Sequence, residues 1–394
     1  MKFVRNSAMP PFPTSALRSP LPIDYGPEDE DEHGHLRLKP SSVLCNRYKV
    51  LTQINSGTFG QVWSVIDLWS SEGLRYAMKV PFRKDRRDDM PDQQLQGSKK
   101  ELAILRELNM LNKFQNEGLV VKLISNFEIR DHCFLVMELL DINLYEFLRM
   151  NNFRPFSNEQ AIHISKQLLD AVRFVHSLNI LHADIKPSNI AFVHGDYVEM
   201  PVNDTNVEFG GKTQPQNSAY KVLIQTQIRL VDFGAARNLR DSYTPTEGKV
   251  GTREYRPPES ILQLTFDTLA DIWSVGCTLF DVWIGSTLFE GVQNGNQCLH
   301  RMEYELGPMS TRYLETLSEE FMAERRLVED ESGSHHREPS SSLLIKYFNQ
   351  NDEINMKAFK LIEKMLQYEA RSRPTAKQAL NDCLFQHSQN NKVT

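Results

Sequence analysis

Cysteine is scarce in this sequence of 394 residues. The five cysteines are scattered, odd in number and without a C-x-x-C pair: Cys45, Cys133, Cys277, Cys298 and Cys383. This usage excludes a disulfide framework or a zinc-binding cysteine cluster and indicates a reducing compartment. No apolar run approaches the roughly 20 residues of a membrane span, and the proline-rich start lacks the apolar core of a signal peptide. We therefore expect a soluble intracellular protein with no membrane partner.

An excess of positive charge is also absent. Lys and Arg number 45 against 51 Asp and Glu, so the net charge is −6. The one short basic cluster, at residues 83–87, is interrupted by an acid and predicts a solvated loop. We expect no direct nucleic-acid partner. With 40% hydrophobic residues and no internal repeat, the chain could hold two or three domains or one large two-lobed enzyme.

The stretch Asn179–Asn189, which reads N-I-L-H-A-D-I-K-P-S-N, carries the densest chemistry. Pro187 prevents a helix there and predicts a loop. Asp184 can accept a proton, Lys186 can neutralise an anion, and the amide oxygen of Asn189 can bind a hard cation. Together these groups indicate phosphoryl transfer from a magnesium nucleotide to a hydroxyl. Taken alone, the stretch could also be a surface turn.

A second group of motifs precedes this stretch. Short strands are predicted at Tyr48–Ile54, Val62–Asp67 and Leu74–Val80, and the first turn contains Gly57 and Gly60, which would let backbone amides approach phosphates. On the third strand Ala77 and Lys79 point to the same side, so a flat base fits beside an ammonium.

The predicted helix Ser98–Lys113 has a carboxylate, Glu101, in the middle of its apolar face. A buried carboxylate needs a partner, and we predict that the partner is Lys79. The alternative is that Glu101 lies at the edge of the apolar face and reaches water.

Further along, the pattern predicts three features of a larger helical region. Ser157 and Gln160 predict a capping box for a helix that continues to His176. Asp232 leaves an apolar strand and is followed by Phe233-Gly234, which suits a second cation ligand. The segment Asp271–Ile284 is apolar nearly all round, which predicts a buried helix ended by Gly285.

In their order along the chain, these motifs resemble those of the eukaryotic protein kinases, over roughly Tyr48 to His387. The resemblance implies an α+β, two-lobed protein kinase fold, with a small antiparallel-sheet N-lobe containing one helix and a larger, mainly helical C-lobe. The implied boundaries are an N-lobe at 48–138 and a C-lobe at 139–387 with insertions near 194–227 and 291–345. A disordered proline-rich and acidic tail is expected at 1–47, for which a docking or autoinhibitory role stays open, and a short tail at 388–394.

The resemblance also implies the roles of individual residues. Asp184 would be the base, Lys186 would neutralise the transferring phosphoryl, and Lys79, held by Glu101, would bridge the α- and β-phosphates of ATP. Asn189 and Asp232 would hold two Mg²⁺ ions, and Glu259 would pair with Arg373. The implied nucleotide-binding residues are Ile54, Gly57, Gly60, Val62, Ala77, Lys79, Met137 as gatekeeper, Glu138, Leu140 and Ala191.

Within the family, the segment Thr252–Glu259 resembles the group of cyclin-dependent, MAP, CDC-like and dual-specificity kinases. The insertion before Asp232 and residues 297–308 are similar to the CDC-like (LAMMER) and related SR-protein and PRP4-type branches. This resemblance implies protein substrates, Arg/Ser-rich ones among them, a monomer, and nuclear or cytoplasmic localisation. Transfer to Ser/Thr is expected, with tyrosine autophosphorylation left open. The competing interpretation is an ATP-binding pseudokinase or scaffold.

Three departures from the family pattern stand out. Asn55 replaces the first glycine of the loop; because Asn tolerates left-handed geometry, we expect the loop to survive with weaker phosphate contact. Ala183 replaces the arginine that usually binds a phosphorylated activation loop, while Glu247 and Lys249 occupy the region of the usual phosphorylated residues. Ala191 replaces the leucine that usually forms the floor of the adenine site.

Overall fold

The computed structural model describes most of the chain between residues 36 and 386. The described residues are 2–4, 36–57, 60–81, 92–115, 118–129, 132–201, 208–209, 212–213, 219–240, 251–310 and 343–386. Most of the expected N-terminal tail, the tail at 388–394, the basic cluster at 83–87, and Glu247 and Lys249 lie outside them. Among the described helices, none is long and apolar enough to cross a membrane.

The chain divides into two compact units. The smaller unit holds residues up to Asp141 together with Val231–Gly234, and the larger holds Ile142–Leu230, the chain from Ala235 onward and the N-terminal residues 2–4.

The smaller unit is an antiparallel sheet with one helix, as expected. Its strand order is β2-β3-β4-β5-β7-β6. The strands are β2 (Val43–Leu44), β3 (Tyr48–Gly57), β4 (Gly60–Asp67), β5 (Arg75–Pro81), β6 (Leu123–Ile129) and β7 (His132–Glu138). One face buries alternate side chains, among them Val50, Val65, Met78, Phe134 and Val136. This alternation is what a sheet with one buried face requires.

Helix α1 (Asp92–Gln115) extends further at both ends than the sequence predicts. Its expected apolar face is confirmed, since Leu102, Ile104, Leu105 and Leu108 are buried. Glu101 is only 4% exposed, so it does not reach water at the edge of that face. The buried carboxylate therefore requires a partner within the unit.

Residues 36–47 differ from the expectation of a disordered tail. Leu36 and Leu38 are buried in the core of the small sheet, and Val43 and Leu44 pair with Lys49 and Tyr48. The sequence pattern missed this segment because its apolar residues are few and spaced without a clear period. The division at Tyr48 itself stays a prediction.

Arg47 joins this segment to strand β4 by two-pronged hydrogen bonds to Asp67. The shortest, from Nη2 to Oδ2, is 2.7 Å. The hydrogen bonds from Arg47, aided by the Trp69 backbone amide, lower the pKa of the Asp67 carboxyl below its ordinary value despite burial. The folded state therefore binds this proton less tightly than the unfolded chain does, and Asp67 contributes stability only where it is ionised.

We expect Asp67→Asn to reduce the free energy of unfolding by about 1–2 kcal/mol at neutral pH. The loss of stability is fully present above the pKa of Asp67 in the unfolded chain, about 4. It disappears as the pH falls through the lower pKa that Asp67 has in the folded protein. Urea unfolding of both proteins between pH 3 and 7 measures it. A difference independent of pH would contradict the assigned role of the carboxylate charge.

The larger unit is mainly helical, with helix α5 buried at its centre. The helices are α2 (Leu144–Met150), α3 (Asn158–Ser177), α4 (Pro258–Ile261), α5 (Leu269–Ile284), α6 (Gly295–Leu306), α7 (Glu353–Met365) and α8 (Ala376–Ala379). Nearly every α5 side chain is buried, as the apolar pattern predicts. Gly285 ends α5 with φ 78°, and a Cβ there would collide with the carbonyl oxygen of Phe153.

The predicted capping box of α3 is only half present. Ser157 Oγ accepts a hydrogen bond from the Gln160 amide, as predicted. The Gln160 side chain does not return to Ser157 and instead donates to the carbonyl oxygen of Leu223. Tertiary contact with the insertion therefore replaces the second half of the box.

Short strand pairs complete the larger unit. Strand β8 (Ile180–Leu181) pairs with β15 (Arg237–Asn238), and β9 (Ile190–Phe192) pairs with β14 (Ile228–Leu230). The expected insertion near 194–227 contains β10 (Tyr197–Met200) paired with β13 (Tyr220–Leu223), and β11 (Glu208–Phe209) paired with β12 (Lys212–Thr213). Strand β1 (Lys2–Val4), also expected to be disordered, pairs with the outer side of β10. These pairings correct the expectation of structureless tail at residues 2–4.

Candidate functional site

In the smaller unit, Lys79 is held between two carboxylates. Its Nζ lies 2.7 and 2.9 Å from the two carboxylate oxygens of Glu101 and 2.7 Å from Oδ1 of Asp232. Strand β5 points Lys79 toward Glu101 near the middle of α1, so the pair predicted from the apolar stripe forms. The bond to Asp232 was not predicted, because nothing in the local pattern connects residues 153 positions apart.

Burial and close charges together shift the pKa values in this group. Burial alone would lower the pKa of the Lys79 ammonium, but the carboxylates of Asp232 and Glu101 outweigh it and raise that pKa. Burial is also the largest cause that raises the pKa of the Glu101 carboxyl, and the Lys79 ammonium opposes this rise. Two carboxyl groups therefore share one ammonium, and carboxylate oxygens are ligands that a hard cation accepts.

The other residues predicted to bind nucleotide lie mostly on the same sheet. Ala77 is directly opposite Met137, and Val62 is directly opposite Lys79. Met137 is buried and Ile54 is exposed. Glu138 has a second function, since its Oε1 accepts a hydrogen bond of 2.7 Å from the Lys122 amide. Leu140 is half-buried beyond the end of β7.

The glycine turn is described at its two ends. Gly57 pairs with Gly60, while Thr58 and Phe59 lie outside the described residues. Gly60 has φ 147°, a value that favours glycine. Asn55 does not use the left-handed geometry that Asn tolerates, because it continues strand β3, and its Oδ1 accepts a hydrogen bond from the Ser56 amide.

In the larger unit, the stretch Asn179–Asn189 brings together the other predicted catalytic groups. Lys186 Nζ lies 2.8 Å from Oδ2 of Asp184. Asn189 Nδ2 donates to the Asp184 carbonyl oxygen at 2.8 Å and to Oδ2 at 3.2 Å. Because the amide nitrogen of Asn189 is thus used, its oxygen is the atom available as a cation ligand. A short 3₁₀ turn, Pro187–Asn189, replaces the helix that proline excludes.

Thr252 completes this group and was missed as a site residue. Its backbone amide and Oγ1 donate to Oδ1 of Asp184 at 2.9 and 2.8 Å. Its Oγ1 also accepts a hydrogen bond of 2.6 Å from Lys186 Nζ. The sequence showed Thr252 only as part of a family motif, and the 68 residues between it and Asp184 hid the contact.

The loop that carries Asp184 is fixed by Asp271, which lies in the first turn of α5. The carboxylate accepts hydrogen bonds from the amides of His182 and Ala183 at 2.8 and 2.9 Å and lies 2.9 Å from His176 Nε2. Ala183 has φ 67°, an uncommon backbone for a residue with a side chain. A buried carboxylate thereby holds a strained backbone next to the predicted base.

The segment after Thr252 is fixed to the helices by buried polar pairs. Tyr255 donates to Asp281 at 2.7 Å, and burial raises the pKa of that carboxyl well above its usual value. The predicted pair of Glu259 with Arg373 is confirmed by two bonds of 2.7 Å. Arg373 also lies over the ring of Trp273. These contacts hold residues 252–261 in one conformation.

The predicted site residues therefore form two constellations, one in each compact unit. Lys79, Glu101 and Asp232 meet in the smaller unit; Asp184, Lys186 and Asn189 meet in the larger, where Ala191 is buried in strand β9. No cluster of three or more His, Cys, Asp or Glu side chains forms a ready metal site within the residues that the structure describes.

Known proteins are similar to this chain over most of its length. The protein kinase domain model matches residues 48–385. The chain is 32% identical over 360 residues to human dual specificity protein kinase CLK2, which covers 91% of this chain and 67% of that protein. Human dual specificity protein kinase CLK1 is 31% identical, with 91% and 69% covered.

Two further similarities agree. Serine/threonine-protein kinase Doa of Drosophila melanogaster is 30% identical over 369 residues, which cover 90% of this chain and 41% of that protein. A crystal structure of a kinase domain superposes with a TM-score of 0.66 at 24% identity, covering 90% of this chain and all of that one, and supports the fold. The chain belongs to the protein kinase family, and the relatives it is similar to include CLK and Doa kinases.

Proposed function

We propose that this chain transfers the γ-phosphoryl group of ATP to Ser and Thr hydroxyls of protein substrates, with Asp184 as the base. The observation that supports this proposal is the arrangement of the predicted site residues in two groups. One holds an ammonium between two carboxylates, and the other holds a carboxylate, an ammonium and an amide on one rigid loop. Phosphoryl transfer needs this equipment, because its catalysis consists mainly of positioning and charge stabilisation.

The residues present suit ATP and magnesium. Lys79, kept charged by its carboxylates, would bind the α- and β-phosphates. Asp232 and Asn189 offer a carboxylate and an amide oxygen, the hard ligands that Mg²⁺ accepts when phosphates complete its shell. When bound, Mg²⁺ would neutralise part of the negative charge of the phosphates. The adenine would contact Ala77, Met137, Glu138 and Leu140, with Ala191 at the floor of its site.

The base is positioned by hydrogen bonds. Thr252 holds one oxygen of Asp184, and Lys186 and Asn189 hold the other. A substrate hydroxyl would approach this carboxylate and lose its proton to it as the phosphoryl group arrives. Lys186, which contacts both Asp184 and Thr252, would stabilise the charge on that phosphoryl.

The substrate class follows from the relatives. Two of them are named dual specificity kinases and a third a serine/threonine-protein kinase, so we propose Ser/Thr transfer with tyrosine autophosphorylation as an accompanying activity. Arg/Ser-rich proteins are the proposed targets, and we propose a monomer in the nucleus or cytoplasm.

A peptide-array phosphorylation screen with purified chain and Mg-ATP tests this function. We expect incorporation into Ser or Thr peptides, with Arg-rich sequences among the best substrates. An array that stays unlabelled, while an ATP analogue still binds the protein, would instead support the pseudokinase interpretation. Labelling of tyrosine peptides alone would overturn the Ser/Thr assignment.

We also expect the enzyme to be active without phosphorylation of its activation loop. Ala183 provides no side-chain cation for a phosphate, and its amide is already bound by Asp271. Treatment of the purified enzyme with a phosphatase should therefore leave at least about half of its activity, a change below 0.5 kcal/mol in the barrier by the usual conversion. A tenfold or larger loss, reversed by incubation with ATP, would contradict this prediction.

A further inference from the structure

The hairpin of strands β10 and β13 is fixed to the helices of the larger unit along one edge. The side chain of Asn151 accepts a hydrogen bond from the Lys221 amide at 2.8 Å and donates one to the Lys221 carbonyl at 2.9 Å. Gln160 donates to the Leu223 carbonyl at 2.8 Å. Arg154 lies 3.8 Å from the centre of the Tyr220 ring. The outer edge of β13 is thereby satisfied by side chains.

These bonds determine which way the backbone of β10 points. Lys221 is directly opposite Glu199. The amide and carbonyl of Lys221 face away from β10, because they are hydrogen-bonded to Asn151. Lys221 and Glu199 therefore form a non-hydrogen-bonded pair of the antiparallel ladder. The amide and carbonyl of Glu199 therefore face the outer edge of β10, as do those of Tyr197, two residues earlier. Val198 and Met200 face β13.

The outer edge of β10 is where the N-terminal residues lie. Lys2 is opposite Glu199, Phe3 is opposite Val198, and Val4 is opposite Tyr197, in antiparallel register. The outward amides and carbonyls of Tyr197 and Glu199 thus have backbone partners in Val4 and Lys2. Tyr197 and Val198 are themselves buried. Without a partner strand, this edge would leave backbone groups unpaired beside buried side chains.

We propose that the outer edge of β10 is a docking site for the N-terminal segment of this same chain, which covers it as a displaceable strand. A strand of three residues makes few ladder bonds, so the cover can leave the edge, and the covalent connection favours its return by raising its local concentration. Recognition is by the backbone ladder, as in strand addition to a sheet edge. The inference does not depend on the kinase chemistry, since the site uses none of the catalytic residues.

Amide hydrogen exchange of the full chain and of a chain lacking residues 1–5 tests the cover. We expect the outward amides of Tyr197 and Glu199 to exchange about tenfold faster or more after the deletion. The amides of Val198 and Met200 face β13 and should keep their protection, so they report whether the hairpin itself stays folded. Unchanged exchange at Tyr197 and Glu199 would overturn the proposal.

A labelled peptide of residues 1–7 tests the site in trans by fluorescence polarisation. It should bind the truncated chain, and bind the full chain about tenfold or more weakly, because a covalently attached segment competes. N-methylation at Val4, whose amide faces β10, should abolish binding. N-methylation at Phe3, whose amide faces away, should preserve it. Equal effects of the two modifications, or equal affinity for both chains, would contradict the assignment.

Sedimentation identifies the source of the occupant. The full chain should sediment as a monomer at every concentration at which the Tyr197 and Glu199 amides are protected. A dimer that disappears on deletion of residues 1–5 would mean that a second copy supplies the strand and would overturn the assignment to the same chain.

Discussion

The Asp184→Asn variant is expected to lose about 10²- to 10⁴-fold in kcat, the usual contribution of a positioned general base. An amide of the same shape cannot accept the hydroxyl proton. The nucleotide should still bind, because Lys79, Glu101 and Asp232 are untouched in the smaller unit. Steady-state kinetics with the best array peptide give kcat, and calorimetry with a non-hydrolysable ATP analogue gives the affinity.

The matched control is Asp170→Asn, which also removes one carboxylate from the larger unit. Asp170 pairs with Arg173 on the exposed side of α3, and both side chains are partly exposed. Its loss should leave kcat unchanged within about twofold, since an exposed pair contributes less than about 1 kcal/mol. If Asp184→Asn retained full activity, another group would have to be the base. An ATP-binding scaffold would show no activity in any of the three proteins.

The sequence predicted those parts of the site that local patterns or charge requirements dictate. A carboxylate on an apolar helix face demands a partner, and Lys79, on the inward side of its strand, was the partner that the sequence offered. Motif order placed Asp184, Lys186 and Asn189 on one loop. The contact of Asp232 with Lys79 and that of Thr252 with Asp184 could not be predicted, since each joins residues far apart along the chain and neither residue is anomalous in its local pattern.

The fold likewise contains elements that local sequence patterns predict and elements that depend on contacts with distant parts of the chain. Strand alternation and the apolar stripes of α1 and α5 predicted the main elements, because burial of one face fixes their period. Leu36, Leu38 and strand β1 escaped prediction, since a short segment that adds to an existing sheet needs no periodic pattern of its own. At Asn55, the extended pairing of β3 outweighs the tolerance of Asn for a left-handed turn.

Replacing Arg373 by Met is expected to reduce the free energy of unfolding of the larger unit by about 3–5 kcal/mol, the usual result of removing one partner of a buried pair. Glu259 would keep an uncompensated charge in a site where both side chains are almost fully buried. Arg373 also donates to the carbonyl oxygens of Gln367, Leu269 and Tyr368 at 2.7, 3.1 and 3.1 Å. Urea unfolding followed by tryptophan fluorescence measures the loss, because Trp273 lies beneath the guanidinium.

Two further variants separate the effect of the Arg373–Glu259 ion pair on stability from that of the Arg373 hydrogen bonds to carbonyl oxygens. Glu259→Gln should lower the free energy of unfolding by less than Arg373→Met does. In this variant the guanidinium loses the carboxylate but keeps its three carbonyl acceptors, which compensate its charge in part. The double variant Glu259→Leu with Arg373→Met should remain less stable than wild type, since the three carbonyl oxygens lose their guanidinium donor even when no charge is buried. For comparison, Arg149→Met breaks the exposed pair with Glu146 and should cost less than about 1 kcal/mol. A double variant as stable as wild type would show that the ion pair alone, and not the carbonyl contacts, makes Arg373 necessary.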